Sequence, residues 1–146
     1  MKVTVLHKKN LIANEWDGGK TYEYLIYPTT AEYSKRNFLF RVSSASIEKV
    51  PSHFTRFQYY QRFLVMLDNS LELIRNGKQE RYEKHDVFSF DSNDEIISSS
   101  LGNDFNLMIQ STKCCAKVEI RTHKITNRFD FLVLVALEKQ FILINN

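Results

Sequence analysis

The residues with the clearest potential for chemistry are polar side chains on segments that are otherwise apolar and strand-like. Arg41 and Ser43 share one face of a first segment, Arg62 shares a face with apolar residues of a second, and Asp104 and Asn106 share a face of a third. Residues two apart on a strand point the same way. If these faces line a barrel, two guanidinium groups, a carboxylate and an amide meet in an apolar cavity.

This constellation has two interpretations. In the first, the arginines and Asp104 form an internal network that only holds strands together, because a buried charge is costly unless it is paired. In the second, one arginine remains free for a ligand, because a guanidinium fork binds a carboxylate through two parallel hydrogen bonds. The two interpretations are compatible, with one arginine structural and the other binding.

A phosphate-binding loop is suggested by Gly19-Lys20-Thr21, but the rest of that motif is missing. The motif needs a glycine five residues earlier, where this chain has Asn14, and a helix immediately afterwards. A strand-like segment follows instead. We therefore interpret Gly18-Gly19 as a tight turn into that strand.

Metal and covalent chemistry have little support in the sequence. No two of the four histidines lie within thirty residues of each other, and the two cysteines, Cys114 and Cys115, are adjacent. Neither H-x-H nor C-x-x-C occurs, so a mononuclear metal site would need ligands from distant strands. No G-x-S-x-G nucleophile elbow is present. We expect no catalytic residues, no metal ligands and no cofactor.

Residues 56–62, R-F-Q-Y-Y-Q-R, interleave two arginines with three aromatic residues, as platforms that bind single-stranded nucleic acid do. The chain has 20 Lys and Arg against 17 Asp and Glu, a net charge of +3. This small excess favours an aromatic loop that caps one end of a barrel. We expect no nucleic-acid partner.

The elements that must position these residues are short strands. Polar and apolar residues alternate along most of the chain, and Asn76-Gly77 between two such runs is typical of a type I′ hairpin. Many short strands with turns between them predict an all-β sandwich or barrel, with a short helix at 30–35. The predicted strands are 2–5, 24–27, 38–47, 62–67, 71–75, 78–82, 86–90, 95–99, 105–110, 116–123, 131–137 and 141–144.

Length and composition agree with a globular protein. The 146 residues are enough for one compact unit, and 43% are hydrophobic and 25% charged. The N-terminus lacks the apolar core of a signal peptide, and the longest apolar run, 131–137, is too short to span a membrane. With only two cysteines, the sequence predicts a cytoplasmic protein without a membrane partner.

Several segments together resemble the HutD/Ves family. They begin with W-D-G-G-K-T at 16–21 and F-L-F-R-V-S at 38–43, and they include D-F-N-L-M at 104–108. The resemblance implies a cupin fold, a double-stranded β-helix of the RmlC-like jelly-roll type, with members built from two cupin-like halves. It implies small-molecule binding without metal, and some members are associated with histidine utilisation or stress responses.

Two departures from the family pattern follow. The arginine that usually comes soon after D-F-N-x-M is replaced by Ile109-Gln110-Ser111, and the chain ends too soon for a complete second half. We expect a first cupin-like barrel over 1–112 and a partial second half over 113–146, packed as one unit. An apolar edge left uncovered by this short half suggests a homodimer.

The resulting hypothesis is a non-enzymatic cupin that senses or sequesters a small anionic metabolite, a carboxylate. The expected contacts are Arg41, Ser43, Arg62, Asp104 and Asn106, with Thr21 and Glu23 near the mouth of the pocket. One alternative is a metal-dependent cupin enzyme, an isomerase or dioxygenase. The other is a protein–protein interaction module.

Overall fold

The described residues form ten antiparallel strands in two sheets, with 3₁₀ turns at Lys8–Asn10 and Tyr33–Lys35. The computed structural model describes residues 3–121 and 130–137. The strands are β1 (Ala13–Trp16), β2 (Gly19–Tyr27), β3 (Phe40–Ile47), β4 (Ser52–His53), β5 (Tyr60–Met66), β6 (Leu71–Arg75), β7 (Lys78–Tyr82), β8 (Phe88–Asp91), β9 (Ile96–Ser98) and β10 (Gly102–Gln110).

One sheet has six strands in the order β1-β2-β3-β10-β5-β8, and the other has four in the order β4-β9-β6-β7. The two sheets pack through a cluster of buried apolar side chains from both. The cluster contains Leu64, Met66, Leu71, Leu73, Phe88, Phe90 and Ile96. A second buried cluster gathers around Phe38, Phe57 and Tyr60. The predicted all-β class is confirmed, and the core lies between the sheets.

The hairpin of β6 and β7 follows directly from the local sequence. Arg75 pairs with Lys78 across the two-residue loop, and both loop residues have positive φ, 49° at Asn76 and 82° at Gly77. Asparagine and glycine tolerate this left-handed region better than other residues. The predicted type of connection and its position are both confirmed.

A bulge in β2 changes which of its side chains face the interior. Glu23 pairs with Ser43, but Leu25 pairs with Val42, so β2 has one extra residue at this point. Before the bulge, Thr21 and Glu23 point inward. After it, Ile26 packs against the buried cluster around Phe38. A single extra residue therefore moves the inward positions from odd to even numbers.

Some predicted elements differ from the structure. Residues 3–5 form no strand, and the side chains of Val3 and Val5 are 54% and 73% exposed. In the described residues, none of the ten strands pairs with this alternating segment. The predicted helix at 30–35 is reduced to one 3₁₀ turn, Tyr33–Lys35.

The C-terminal predictions also need correction where they can be compared. Residues 116–121 and 131–137 are not strands, while 122–123 and 141–144 lie outside the described residues. The apolar side chains from Phe131 to Val135 remain 39–51% exposed. The division at residue 112, the partial second half and the homodimer stay predictions. Within the described residues, no helix has the length and apolar character needed to cross a membrane.

Candidate functional site

A cavity of about 440 Å³ is lined mainly by the inner face of the six-stranded sheet. All seven residues predicted to form the site line this cavity, although their role in ligand binding stays a prediction. The strand order places β10 between β3 and β5, so side chains distant in sequence share cross-strand rows. The rows are Thr21–Ala45–Asp104, Glu23–Ser43–Asn106 and Arg41–Met108–Arg62.

Arg41 is buried and already has a carboxylate partner. Its Nε donates a hydrogen bond to Oε2 of Glu23 over 2.6 Å, and its Nη1 lies 3.5 Å from the hydroxyl of Ser43. The ring of Tyr33 covers the guanidinium, with 4.2 Å from Cζ to the ring centre. These contacts balance the charge of Arg41 and fix its position.

Arg62 is 9% exposed and has no comparable ion pair. Its Nε lies 3.5 Å from Oδ1 of Asn106, the limit of a hydrogen bond, and its guanidinium lies near the rings of Phe54 and Phe90 at 5.4 and 5.2 Å. Among the described residues, no carboxylate oxygen is within 4.0 Å of its nitrogens. The cavity therefore contains a guanidinium whose donors are mostly unused.

Burial and the neighbouring charges together determine the pKa of Arg62. Burial lowers the pKa of its guanidinium, while Tyr33 and Asp104 oppose that effect and Arg41 adds to it. A guanidinium is not deprotonated in proteins, so Arg62 keeps its charge. Two guanidiniums in one cavity repel each other, and an anion placed at Arg62 would relieve this repulsion.

Asp104 lies deep in the cavity wall and does not form the ion pair that the sequence suggested. Its Oδ1 accepts a hydrogen bond from the backbone N–H of Ala45 over 2.9 Å. Burial raises the pKa of this carboxyl to about 6, although the Ala45 bond and the charge of Arg62 act in the opposite direction. Among the described residues, Asp104 forms no ion pair with either arginine: Glu23 pairs with Arg41, and Oδ1 of Asn106 lies 3.5 Å from Nε of Arg62.

Trp16 is a cavity residue that the sequence reasoning did not select. It ends β1 and pairs with Gly19 across the Asp17-Gly18 turn, which confirms the predicted tight turn. A Cβ on Gly18 would lie 2.0 Å from Cζ3 of Trp16, so the indole ring packs directly over this glycine. The W-x-G spacing was the available signal, since a glycine two residues from a tryptophan leaves space for its ring.

Three other lining residues come from short segments between the long strands. Tyr33 lies in the 3₁₀ turn after β2, and Phe54 and Thr55 follow β4. The residues around them show no regular alternation, so the sequence did not predict that these three side chains face the cavity. His53, in β4, also lines the cavity. In the parts of the chain that the structure describes, no three metal-ligating side chains converge.

Solved structures with the same arrangement are cupins. An RmlC-like cupin from Shewanella frigidimarina NCIMB 400 is 7% identical to this chain with a TM-score of 0.54, over 77% of this chain and 95% of that one. Two antiparallel sheets around a polar cavity, together with this likeness, place the chain in the cupin-fold class.

A more specific assignment comes from the family comparison. The sequence profile of the HutD family matches residues 8–143, and the chain belongs to that family. HutD from Pseudomonas fluorescens SBW25, solved in a formate condition, is 23% identical with a TM-score of 0.61, over 70% of this chain. A conserved protein of unknown function from Pseudomonas aeruginosa PAO1 is 22% identical with a TM-score of 0.64, over 73% of this chain.

The match spans 57% of the length of each of these two Pseudomonas proteins. Comparison with curated protein sequences found no significant match. The solved structures thus establish the fold, and the family profile establishes the family. The resemblance identified from the sequence is confirmed.

Proposed function

We propose that this protein binds a small carboxylate in the cavity of the six-stranded sheet and does not turn it over. The observation that carries the proposal is Arg62. Its guanidinium is buried, keeps its charge and has one long hydrogen bond among the described residues. Burying an unpaired charge costs several kcal/mol, and a bound anion with two acceptor oxygens offsets that cost.

The surroundings of Arg62 suit a ligand with an apolar body. Phe54 and Phe90 flank the guanidinium, and Met108 lies beside it in the neighbouring strand. A volume of about 440 Å³ accommodates a short-chain acid with room for water. The lining combines polar groups with apolar side chains such as Phe54 and Met108, and such a mixture is typical of small-molecule sites.

The test is ligand-induced stabilisation of the wild type and of Arg62→Met, with formate, acetate, butyrate and pentanoate as probes. Methionine keeps an apolar stem against Phe54 and Phe90 but removes the charge. A ligand at 100 times its Kd adds about 2.7 kcal/mol to the free energy of unfolding. For a chain of this size, that raises the Tm by about 5–10 °C. Arg62→Met should show no such rise.

Arg75→Met is the matched control. Arg75 also lies over a phenylalanine ring, 5.6 Å from the centre of Phe88, but it pairs with Glu80 and does not line the cavity. This variant should keep the full ligand response. The proposal is wrong if no carboxylate stabilises the wild type, or if Arg62→Met responds as the wild type does. Since Arg62→Met removes an unpaired buried charge, its unliganded Tm should be equal or higher.

A further inference from the structure

Glu23 forms an ion pair with Arg41, one of the two arginines of the cavity. This pair limits the number of carboxylates that a bound ligand can carry. We infer that Glu23 is a specificity-determining residue that restricts the site to ligands with a single carboxylate. The inference rests on the proposed function, since it concerns the ligand bound at Arg62. It goes further by naming the ligand class and the residue that selects it.

The charges in the cavity wall support a single anion. The lining contains two arginines, Arg41 and Arg62, and three carboxylates, Glu15, Glu23 and Asp104. Arg41 and Glu23 neutralise each other at 2.6 Å. One guanidinium therefore remains for a ligand carboxylate. A second negative charge on that ligand would lie in a wall that contains two further carboxylates, Glu15 and Asp104.

The spacing of the two arginines explains why Glu23 matters. Arg41 and Arg62 both pair with Met108, from opposite sides of β10. Two strand spacings separate their backbones, which is about 10 Å. Without Glu23, the two guanidiniums would form a pair of anchors for the two ends of a short dicarboxylate. In the wild type, the carboxylate of Glu23 already binds Arg41, so only Arg62 remains to bind a ligand carboxylate.

The other contacts of Arg41 hold its guanidinium in position when Glu23 is replaced. Tyr33 covers its guanidinium and Ser43 approaches its Nη1. Neither group supplies a negative charge. In a Glu23→Gln variant, Arg41 keeps both contacts and loses its carboxylate. The glutamine has the same shape, so the cavity keeps its volume while the wall gains one uncompensated positive charge.

The test compares pentanoate with glutarate, which have five carbons each and differ by one carboxylate. Binding is followed by the fluorescence of Trp16, the single tryptophan of the chain, which lines the cavity. We expect the wild type to bind pentanoate on the order of tenfold more tightly than glutarate, because like charges repel in a buried site. Glu23→Gln should reverse this preference, changing the ratio of the two Kd values by on the order of a hundredfold.

Glu80→Gln is the matched control, because Glu80 forms the corresponding pair with Arg75 at 3.0 Å outside the cavity. It should leave the Kd ratio unchanged. Glutarate binding as tightly as pentanoate in the wild type, through Arg62, would overturn this inference and leave the proposed function standing. An unchanged ratio in Glu23→Gln would also overturn it. If neither acid binds the wild type while formate, acetate or butyrate still stabilises it, the inference is overturned and the proposed function stands. If none of these acids binds the wild type, both are overturned.

Discussion

The carboxyl of Asp104 makes the stability of this protein depend on pH in a direction opposite to that of most paired carboxylates. Burial raises its pKa from 3.8 to about 6. The group is 3% exposed, and its one hydrogen bond in the described residues comes from the backbone N–H of Ala45. We predict that Asp104→Asn stabilises the folded protein at neutral pH and that this gain disappears in acid.

The magnitude follows from proton linkage. Below pH 3.8, the carboxyl is protonated in both the folded and the unfolded chain and carries no cost. Between pH 3.8 and about 6, the unfolded chain releases its proton while the folded chain retains it, so stability falls as the pH rises. At about 1.4 kcal/mol per pH unit, the ionised Asp104 costs about 3 kcal/mol above pH 6. The neutral amide that Asp104→Asn introduces avoids this cost at every pH.

The assay is urea unfolding of the wild type and Asp104→Asn at pH 3.5, 5.0 and 7.5. The free energy of unfolding of the variant minus that of the wild type should rise by about 3 kcal/mol from pH 3.5 to 7.5. Taking the difference removes any constant effect of the amide. It also removes the titration of other carboxyls, such as Glu80, whose pKa is lowered by hydrogen bonds from Tyr82 and Arg75.

Asp17→Asn is the control with the opposite sign. Lys49 donates a hydrogen bond to Asp17 and lowers the pKa of its carboxyl, which lies at the surface. The free energy of unfolding of Asp17→Asn minus that of the wild type should fall slightly as the pH rises. A difference for Asp104→Asn that is flat or falls with pH would refute the reasoning, because it would mean that attraction to Arg62 outweighs burial.

Two further predictions concern packing around the site. Gly18→Ala places a Cβ 2.0 Å from Cζ3 of Trp16 and should displace the indole ring, which shifts the tryptophan emission to longer wavelength. The control is Gly77→Ala, whose added Cβ has no atom within 4 Å and should leave the emission of the native protein unchanged. Tyr60→Phe removes the hydroxyl that donates to the carbonyl of Phe38 over 2.7 Å and should cost about 1–3 kcal/mol in urea unfolding. Tyr59→Phe, at a side chain that is 67% exposed, should cost almost nothing, and an equal loss in both variants would contradict this account.

The sequence by itself determined the all-β class, the Asn76-Gly77 hairpin and the faces of the long strands. These features are local. A turn type depends on two adjacent residues, and alternation depends on the two-residue period of a strand. For the same reason, Arg41 with Ser43 and Asp104 with Asn106 could be assigned to shared faces before any strand order was known. The family segments at 16–21 and 104–108 added the cupin architecture.

Only the tertiary structure decided which of these faces meet and which charges pair. Alternation does not say that β10 lies between β3 and β5, nor that one extra residue in β2 makes Ile26, rather than Leu25, the next inward residue after Glu23. It also predicted a strand at 2–5, but residues 3–5 pair with no strand in the described part of the chain. Pairing between distant strands and the burial that raises the pKa of Asp104 depend on contacts from the whole fold. Arg62 was visible in the sequence, but its lack of a carboxylate partner among the described residues became visible only when the strands were placed.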